Sequence, residues 1–420
     1  MHVRWFRNPC LRHKALICFL VFVSLTAACL YVIHFARLAL DELKCSESQS
    51  ISLLQDYCHQ YHLGLIVGDL CPALCDTDLI QYRRCTNYRG GKHVFIMDCL
   101  NMCIPGNITK AVLKTKNQEV FEEEEFYMYL KQFSNQNASA EKALTAMVKN
   151  TLIELNQKLI KDDDSIIIMK FWNSEYKTYL SNPSTRIAFA RSLMLLVSQS
   201  EFRMLRMNQN IPYFPKIYGT CGPMYLVEFS PPGDILEHEL SLMSEKEYSF
   251  KERAEVAIRI LDIIYRIDVD MPEPLHLCDV KGENFGMGRD GLQLIDVDTV
   301  FYDSVLKSFV GGQNCSSHQD CHFFDCRGFC SEETRCCENF RTNNNLQSVC
   351  EDVFLGKWFN TVGGLLKNPP SSVRQQLNSI LESCAFSQTL HGQVPFQKPS
   401  KKLLSNLYGL LLQTVYEHED

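Results

Sequence analysis

No long run of lysine and arginine occurs anywhere in the 420 residues, and the formal net charge is −7. Binding to phosphate backbones depends on clustered basic side chains, so nucleic acid is excluded as a partner. The chain has no internal repeat and no complete EF-hand loop. Asp162-Asp-Asp164 lacks the glycine and the closing glutamate that such a loop requires, and reads as a solvated charged turn. A zinc site is also missing: Cys71-Pro-Ala-Leu-Cys75 has thiolates at a suitable spacing, but no second pair or nearby histidine completes it. With 46% hydrophobic residues the chain can bury a sizeable core, as one large domain or two or three small ones.

What is abundant is cysteine. Twenty are present, and persistent disulfides require an oxidising compartment, which places most of the chain in the secretory pathway or outside the cell. The sequons Asn107-Ile-Thr109, Asn137-Ala-Ser139 and Asn314-Cys-Ser316 agree and mark a glycoprotein. One apolar run, Ala15 to Ile33, is long enough to cross a bilayer. Arg4, Arg7, Arg12 and Lys14 precede it, while its far flank mixes Arg37 and Lys44 with Asp41 and Glu42. That asymmetry predicts a cytosolic tail over 1–14, a retained transmembrane signal anchor over 15–36, and a luminal remainder. A cleaved signal peptide is the alternative, but the run ends in Leu-Tyr-Val-Ile-His34 and not in the small residues of a cleavage site. Seventeen cysteines follow the anchor, so at least one lacks an intramolecular partner; Cys278 is the candidate free thiol.

The chemistry concentrates in His276-Leu-Cys-Asp-Val-Lys-Gly-Glu-Asn284 and Leu294-Ile-Asp-Val-Asp298. Asp279, Lys281 and Asn284 have the D-x-K-x-x-N order of a protein-kinase catalytic loop. Phosphoryl transfer needs a carboxylate aimed at the attacking hydroxyl, a cation near the transferring phosphate, and an amide oxygen for a metal. Two short strands around Arg289-Asp290-Gly291 would return Asp296 to Asn284, so that both hold divalent metal. An acidic surface hairpin is the plain alternative, since isolated Asp and Asn are common in turns.

Upstream, Ala111-Val-Leu-Lys114 resembles the strand whose lysine grips the ATP phosphates. Tyr88-Arg-Gly-Gly91 before Val94-Phe-Ile-Met97 is a poor match to a phosphate loop, because G-x-G-x-x-G is absent. Ala188 to Asn208 has the periodicity of one amphipathic helix carrying Glu201, which would orient Lys114. Pro215 to Gly219 and Met224 to Phe229 read as two strands leading to a hinge, where Glu228-Phe229 would offer backbone groups to adenine. Phe250 to Asp268 reads as a long helix that delivers the chain to the catalytic loop. Beyond Asp298 no A-P-E follows; instead a second cysteine cluster runs from Cys315 to Cys350, then helical stretches around Phe354 to Leu366, Val373 to Leu381 and Leu403 to His418.

Taken with Cys321-His-Phe-Phe-Asp-Cys326 and Asn343-Asn-Asn-Leu-Gln347, these motifs make the chain resemble the divergent protein kinase domain 1 family, over nearly its whole length beyond the anchor. The resemblance implies a type II membrane protein of the endoplasmic reticulum, with the Golgi as an alternative. The implied fold class is α+β: a bilobal protein-kinase-like fold with a cysteine-rich N-terminal region and a C-lobe insert, preceded by one transmembrane helix. The segments would be a luminal cysteine-rich stem over 37–84, an N-lobe over 85–229, and a C-lobe over 230–420 with its insert at 315–350. The implied cofactors are ATP with Mg²⁺ or Mn²⁺. Asp279 and Lys281 would be catalytic, Lys114, Glu201 and Glu228 would bind nucleotide, and Asn284 and Asp296 would bind metal. The acceptor would be a hydroxyl of a secretory-pathway protein or glycan. Leu277-Cys278 replace the usual His-Arg before the catalytic aspartate, and Val297-Asp298 replace Phe-Gly. A pseudokinase scaffold that binds nucleotide or a partner without catalysis is the competing expectation.

Overall fold

The computed structural model describes residues 46–87, 91–100, 103–104, 108–116, 140–154, 164–173, 175–231, 248–356, 364–386 and 400–416. The expected anchor at 15–36 and the sequons at Asn107 and Asn137 lie outside these residues. Among the described residues no helix is long and apolar enough to cross a membrane.

Five antiparallel strands form the small lobe: β1 (Ile80–Asn87), β2 (Lys92–Cys99), β3 (Lys110–Lys116), β4 (Ile217–Cys221) and β5 (Met224–Glu228), in the order β1-β2-β3-β5-β4. Side chains alternate across a strand, so Phe95, Met97, Ala111, Leu113 and Leu226 gather in one core. Ile66, Leu70, Cys71 and Leu74 complete the same core, together with Leu54 and Tyr57 from helix α1 (Glu47–His62). The stretch expected to form a stem is therefore, from residue 46 onward, packed into the small lobe. Its attachment to β4 is covalent and close. Cys71 is bonded to Cys221, the Leu70 N–H donates to the Thr220 carbonyl at 3.0 Å, and a Cβ on Gly68 would fall 2.0 Å from the Thr220 oxygen. Cys75 is bonded to Cys58, so both thiols of the Cys71/Cys75 pair are consumed by disulfides.

The sheet's other side meets helices α2 (Ala140–Glu154), α3 (Asp164–Phe171), α4 (Tyr176–Ser181), α5 (Pro183–Val197) and α6 (Ser200–Met207). The single helix expected over Ala188 to Asn208 is in fact two, α5 and α6. Gln199 is extended, and its amide donates to Leu195 O at 3.1 Å and Pro223 O at 2.8 Å. The buried Arg203 guanidinium donates to the Val197 and Ser198 carbonyls at 2.7 and 2.9 Å, satisfying backbone groups that a continuous helix would have paired itself.

In the large lobe, helix α7 (Phe250–Val269) starts with a capping box: Ser249 Oγ accepts from the Glu252 N–H while the Glu252 carboxylate accepts from the Ser249 N–H. Its apolar face, including Ile260, Ile264 and Ile267, belongs to a large core shared with α10 (Arg374–Ala385) and α11 (Lys401–Tyr416). Between them lie β6 (Leu275–Leu277) paired with β9 (Val300–Tyr302), the hairpin of β7 (Phe285–Gly288) and β8 (Gly291–Leu294), and the short helices α8 (Asp303–Val310) and α9 (Asn345–Ser348). Of the helix expected around Phe354 to Leu366, residues 357–363 lie outside the described residues; before them the helical turn Val349–Phe354 ends, and after them the Leu365 N–H donates to Val353 O at 2.8 Å. The lobes meet where Gly286 passes Ser230; a Cβ there would lie 2.2 Å from the Ser230 oxygen, which only glycine avoids.

The cysteine-rich insert has little apolar content and is held by Cys315–Cys330 and Cys321–Cys337, with Cys350–Cys384 joining its end to α10. Cys278 is not a free thiol. It is bonded to Cys326, and the free thiol among the described cysteines is the half-buried Cys336.

The Cys71–Cys221 bond closes a loop of 150 residues. Removing it as Cys71→Ala with Cys221→Ala should lower unfolding free energy by about 3–5 kcal/mol. Thermal melting of the full chain checks this, and an unchanged midpoint would show that the non-covalent packing alone fixes the stem to β4.

Candidate functional site

Lys114 reaches the cleft because β3 is central in the sheet, paired with β2 through Val94 and with β5 through Tyr225. Its ammonium donates to Glu201 Oε1 and to the Ile295 carbonyl, both at 2.6 Å. Glu201, in the first turn of α6, is buried, and its second oxygen accepts from the Tyr225 hydroxyl at 2.9 Å. Burial alone would push the Glu201 carboxyl up, but Lys114 and Lys92 outweigh it and hold the group below its ordinary pKa.

The catalytic stretch leaves β6 at Leu277 and turns through Asp279 into a short 3₁₀ segment, Gly282–Asn284. The Asn284 amide nitrogen donates to the Asp279 carbonyl at 2.7 Å and lies 3.3 Å from its carboxylate, which leaves the amide oxygen as the atom Asn284 can offer a metal. Lys281 Nζ stands 2.9 Å from Asp279 Oδ2. The β7–β8 hairpin brings the chain back so that Ile295 N–H donates to the Asn284 carbonyl at 2.9 Å, with Asp296 next in line. Lys114, Glu201, Asp279, Lys281, Asn284 and Asp296 are thus gathered at one cleft. Glu228 is placed differently: its buried carboxylate accepts from the Arg289 N–H and from Gln293 Nε2, each at 3.0 Å, so its side chain fastens the hairpin to β5, and its own N–H donates to the Lys216 carbonyl at 2.9 Å.

A second lysine enters from β2. Lys92 Nζ lies 2.5 Å from Asp296 Oδ1, 3.1 Å from Glu201 Oε2 and 3.4 Å from Asp298 Oδ2. Burial lowers its proton affinity, yet these three carboxylates raise it well above the ordinary lysine value. Burial likewise works to raise Asp296, but Lys92 and then Lys114 bring it down to about 2. Asp298, half-buried, is pushed up to about 6 by loss of solvent and then by the charged Asp296 beside it. Neither Lys92 nor the role of Asp298 was apparent from motifs; the available signal was a lysine directly after Gly91 and a second carboxylate two residues beyond Asp296. Asp296, Asp298 and the Asn284 amide offer hard oxygen donors of the kind Mg²⁺ and Mn²⁺ take. Elsewhere among the described residues, Cys315, Cys321 and Cys330 lie close enough for a metal, but each is already in a disulfide.

The insert forms the back wall of the catalytic loop. Besides the Cys278–Cys326 bond, the Val280 N–H donates to the Asp325 carboxylate and the Asp325 N–H to the Cys278 carbonyl. Asn345 serves as a further strand for β6, accepting from the Leu277 N–H at 2.9 Å and donating to the Leu275 carbonyl at 2.7 Å. The buried Arg341 guanidinium donates to Asn345, Asn343 and Ser348 and approaches His276 Nδ1 at 3.3 Å. Arginine has only donors, so Nδ1 must accept and the His276 proton sits on Nε2, facing Asp303 at 3.2 Å.

Two models of one family match this chain. The "Protein-kinase domain of FAM69" matches residues 193–387, which contain Glu201, the catalytic stretch and the insert, and the "N-term cysteine-rich ER, FAM69" region matches 6–166, which contains Lys92 and Lys114. The chain belongs to the FAM69 family. It is also 27% identical over 207 residues to divergent protein kinase domain 2A of Homo sapiens, and 26% identical over 207 residues to the protein of the same name from Xenopus tropicalis. Each match covers 46% of this chain and 46% of the relative, so the chain spans about half the length of the curated relatives it matches. The kinase-like domain of this FAM69-family chain thus brings the Lys114–Glu201 pair, Asp279 and Asp296 together, with the disulfide-bonded Cys278 at the position where protein kinases have an arginine.

Asp352, on the insert side of this wall, is raised to about 7 by burial and then by the charges of Asp325 and Glu351. A carboxyl whose folded pKa lies above its unfolded value favours folding when protonated, so wild-type stability falls as pH rises from about 4 to about 7. Asp352→Asn should therefore melt a few degrees higher than wild type at about pH 8, with the difference lost by about pH 4. Melting curves that differ equally at both pH values would show that the substitution acts through packing and not charge.

Proposed function

We propose that this FAM69-family chain is a phosphotransferase that moves the γ-phosphoryl group of ATP to a hydroxyl of a secretory-pathway protein or glycan. The observation that carries the reading is the convergence of the Lys114–Glu201 pair, Asn284 and Asp296 around Asp279. Asp279 accepts the acceptor's proton as the hydroxyl oxygen bonds to the γ-phosphorus, and the bond from that phosphorus to the β-phosphate oxygen breaks, releasing ADP. Lys281, already beside Asp279, steadies the transferring group, and Lys114 grips the phosphates in the orientation Glu201 imposes. Asn284 and Asp296, with Asp298 alongside, would hold Mg²⁺ or Mn²⁺, which when bound offsets negative charge on the phosphates. Adenine would meet the backbone at Glu228-Phe229. This chemistry would operate in the lumen of the endoplasmic reticulum, on a type II protein anchored through 15–36, consistent with the seven disulfides found between described cysteines and with the description of the matching N-terminal region. Within the family we place the chain nearest divergent protein kinase domain 1C, on the motifs around Asp279, Asp296, Cys321 and Asn343.

One observation favours the second reading, a scaffold that binds nucleotide or a partner without catalysis: a lysine already spans Asp296 and Asp298. Thermal shift separates both from a domain that binds no nucleotide, since ligand at 100 times its Kd stabilises by about 2.7 kcal/mol. The full chain with ATP and Mn²⁺ should melt several degrees higher than without. Transfer of labelled γ-phosphate should fall about 10²- to 10⁴-fold in Asp279→Ala, with a comparable loss in Asp296→Ala. Equal signal from all three proteins would identify a contaminating kinase, and a thermal shift without transfer would establish the scaffold.

A further inference from the structure

Lys92 holds a position that the ordinary lysine–glutamate pair does not explain. Along β2, residues 92 and 94 share a face, and Val94 lies directly opposite Lys114 on β3, so both lysines project from the same side of the sheet toward the cleft. Lys114 uses Glu201 and a backbone carbonyl; Lys92 takes the other oxygen of Glu201 and both Asp296 and Asp298. Its side chain is 16% exposed and ends in the gap between the carboxylates best suited to a divalent cation. It also follows Gly91, whose φ of +73° turns the chain into β2 at the place where a phosphate-binding glycine loop would supply backbone amides. A lysine stem has four rotatable carbons and a compact point charge, so its head can leave one anion for another without moving the strand.

We propose that Lys92 is a displaceable internal cation. Without nucleotide it neutralises Asp296 and Asp298 and keeps free metal out. When metal and nucleotide arrive together, the metal takes over the carboxylates and the ammonium passes to the phosphates, replacing the missing glycine-loop contacts. Each group keeps an opposite charge through the exchange: the two aspartates trade an ammonium for a dication, and the ammonium trades carboxylate for phosphate. The inference rests on the nucleotide-binding reading above and adds a consequence of its own, that metal and nucleotide must bind with positive coupling. Metal alone would leave the Lys92 ammonium with only Glu201, a carboxylate that Lys114 already shares, and coupling is reciprocal between the two ligands.

The test measures free Mn²⁺ by its electron paramagnetic resonance signal during titration of the full chain, alone and with ATP, in wild type, Lys92→Met and Lys92→Arg. The expected result is that Lys92→Met binds Mn²⁺ alone about tenfold tighter than wild type and Mn²⁺ with ATP about tenfold weaker, whereas Lys92→Arg, which keeps the charge, stays near wild type with Mn²⁺ alone. Should Lys92→Met fail to fold, Lys92→Gln and Asp298→Asn supply the metal-alone arm, each predicted to change Mn²⁺ affinity in opposite directions, tighter for the first and weaker for the second. Wild type and Lys92→Met with the same affinities for Mn²⁺ and for Mn²⁺ with ATP would overturn the proposal while leaving nucleotide binding intact. Absence of any ATP effect in wild type would instead overturn the nucleotide reading, with the metal-alone comparison still deciding whether Lys92 guards the carboxylates.

Discussion

A carboxylate shut away from water needs positive charge beside it, and Glu201 has two lysines, one on each oxygen, with the Tyr225 hydroxyl donating as well. Those partners come from β2, β3 and β5, and the same lysines go on to Ile295, Asp296 and Asp298 in the large lobe. One buried charge therefore fixes α6 against the sheet and fixes the sheet over the segment that carries the metal-type aspartates. The small lobe's attachment to the cleft is electrostatic at this point and covalent at its far side, where the Cys71–Cys221 bond fastens the N-terminal region to β4.

The catalytic loop depends on a different kind of support. In protein kinases an arginine before the catalytic aspartate links the loop to the activation segment, and Cys278 stands at that position here. The Cys278–Cys326 bond, the Asp325 carboxylate on the Val280 N–H, and the Asn345 amide along β6 do the positioning instead. Arg341 sits behind them, fully enclosed and with its donors spent on Asn343, Asn345 and Ser348. Support of this sort is assembled once, as the chain folds and oxidises, and contains no phosphate-dependent element. A cysteine-rich insert that looks dispensable by its low apolar content is thus the frame on which Asp279 is held.

Much of the architecture was legible because it follows from local rules. Periodicity located α7, the turn at Arg289 to Gly291 located the β7–β8 hairpin, and the D-x-K-x-x-N spacing gathered Asp279, Lys281 and Asn284 in one loop. Lys114 and Glu201 were paired across 87 positions from residue type and order, and their contact is direct. Local rules failed where side-chain hydrogen bonds to the backbone took over. Gln199 and Arg203 divide one amphipathic stretch into α5 and α6 by satisfying carbonyls from outside the helix, and nothing in the periodicity records that. Glu228 was expected to serve a hinge, but Arg289 and Gln293 claim its side chain.

The order of residue types along the chain determined which groups could do phosphoryl chemistry, and the cysteine count determined that most of the molecule is cross-linked, because both depend on identity and spacing alone. Which cysteines pair, that Cys278 is bonded behind Asp279, and that Lys92 lies across Asp296 and Asp298 were decided only by the tertiary structure. The reason is distance in sequence: residues 92 and 296 meet because two lobes close on each other, and no local propensity or motif carries the energy of a contact formed between lobes.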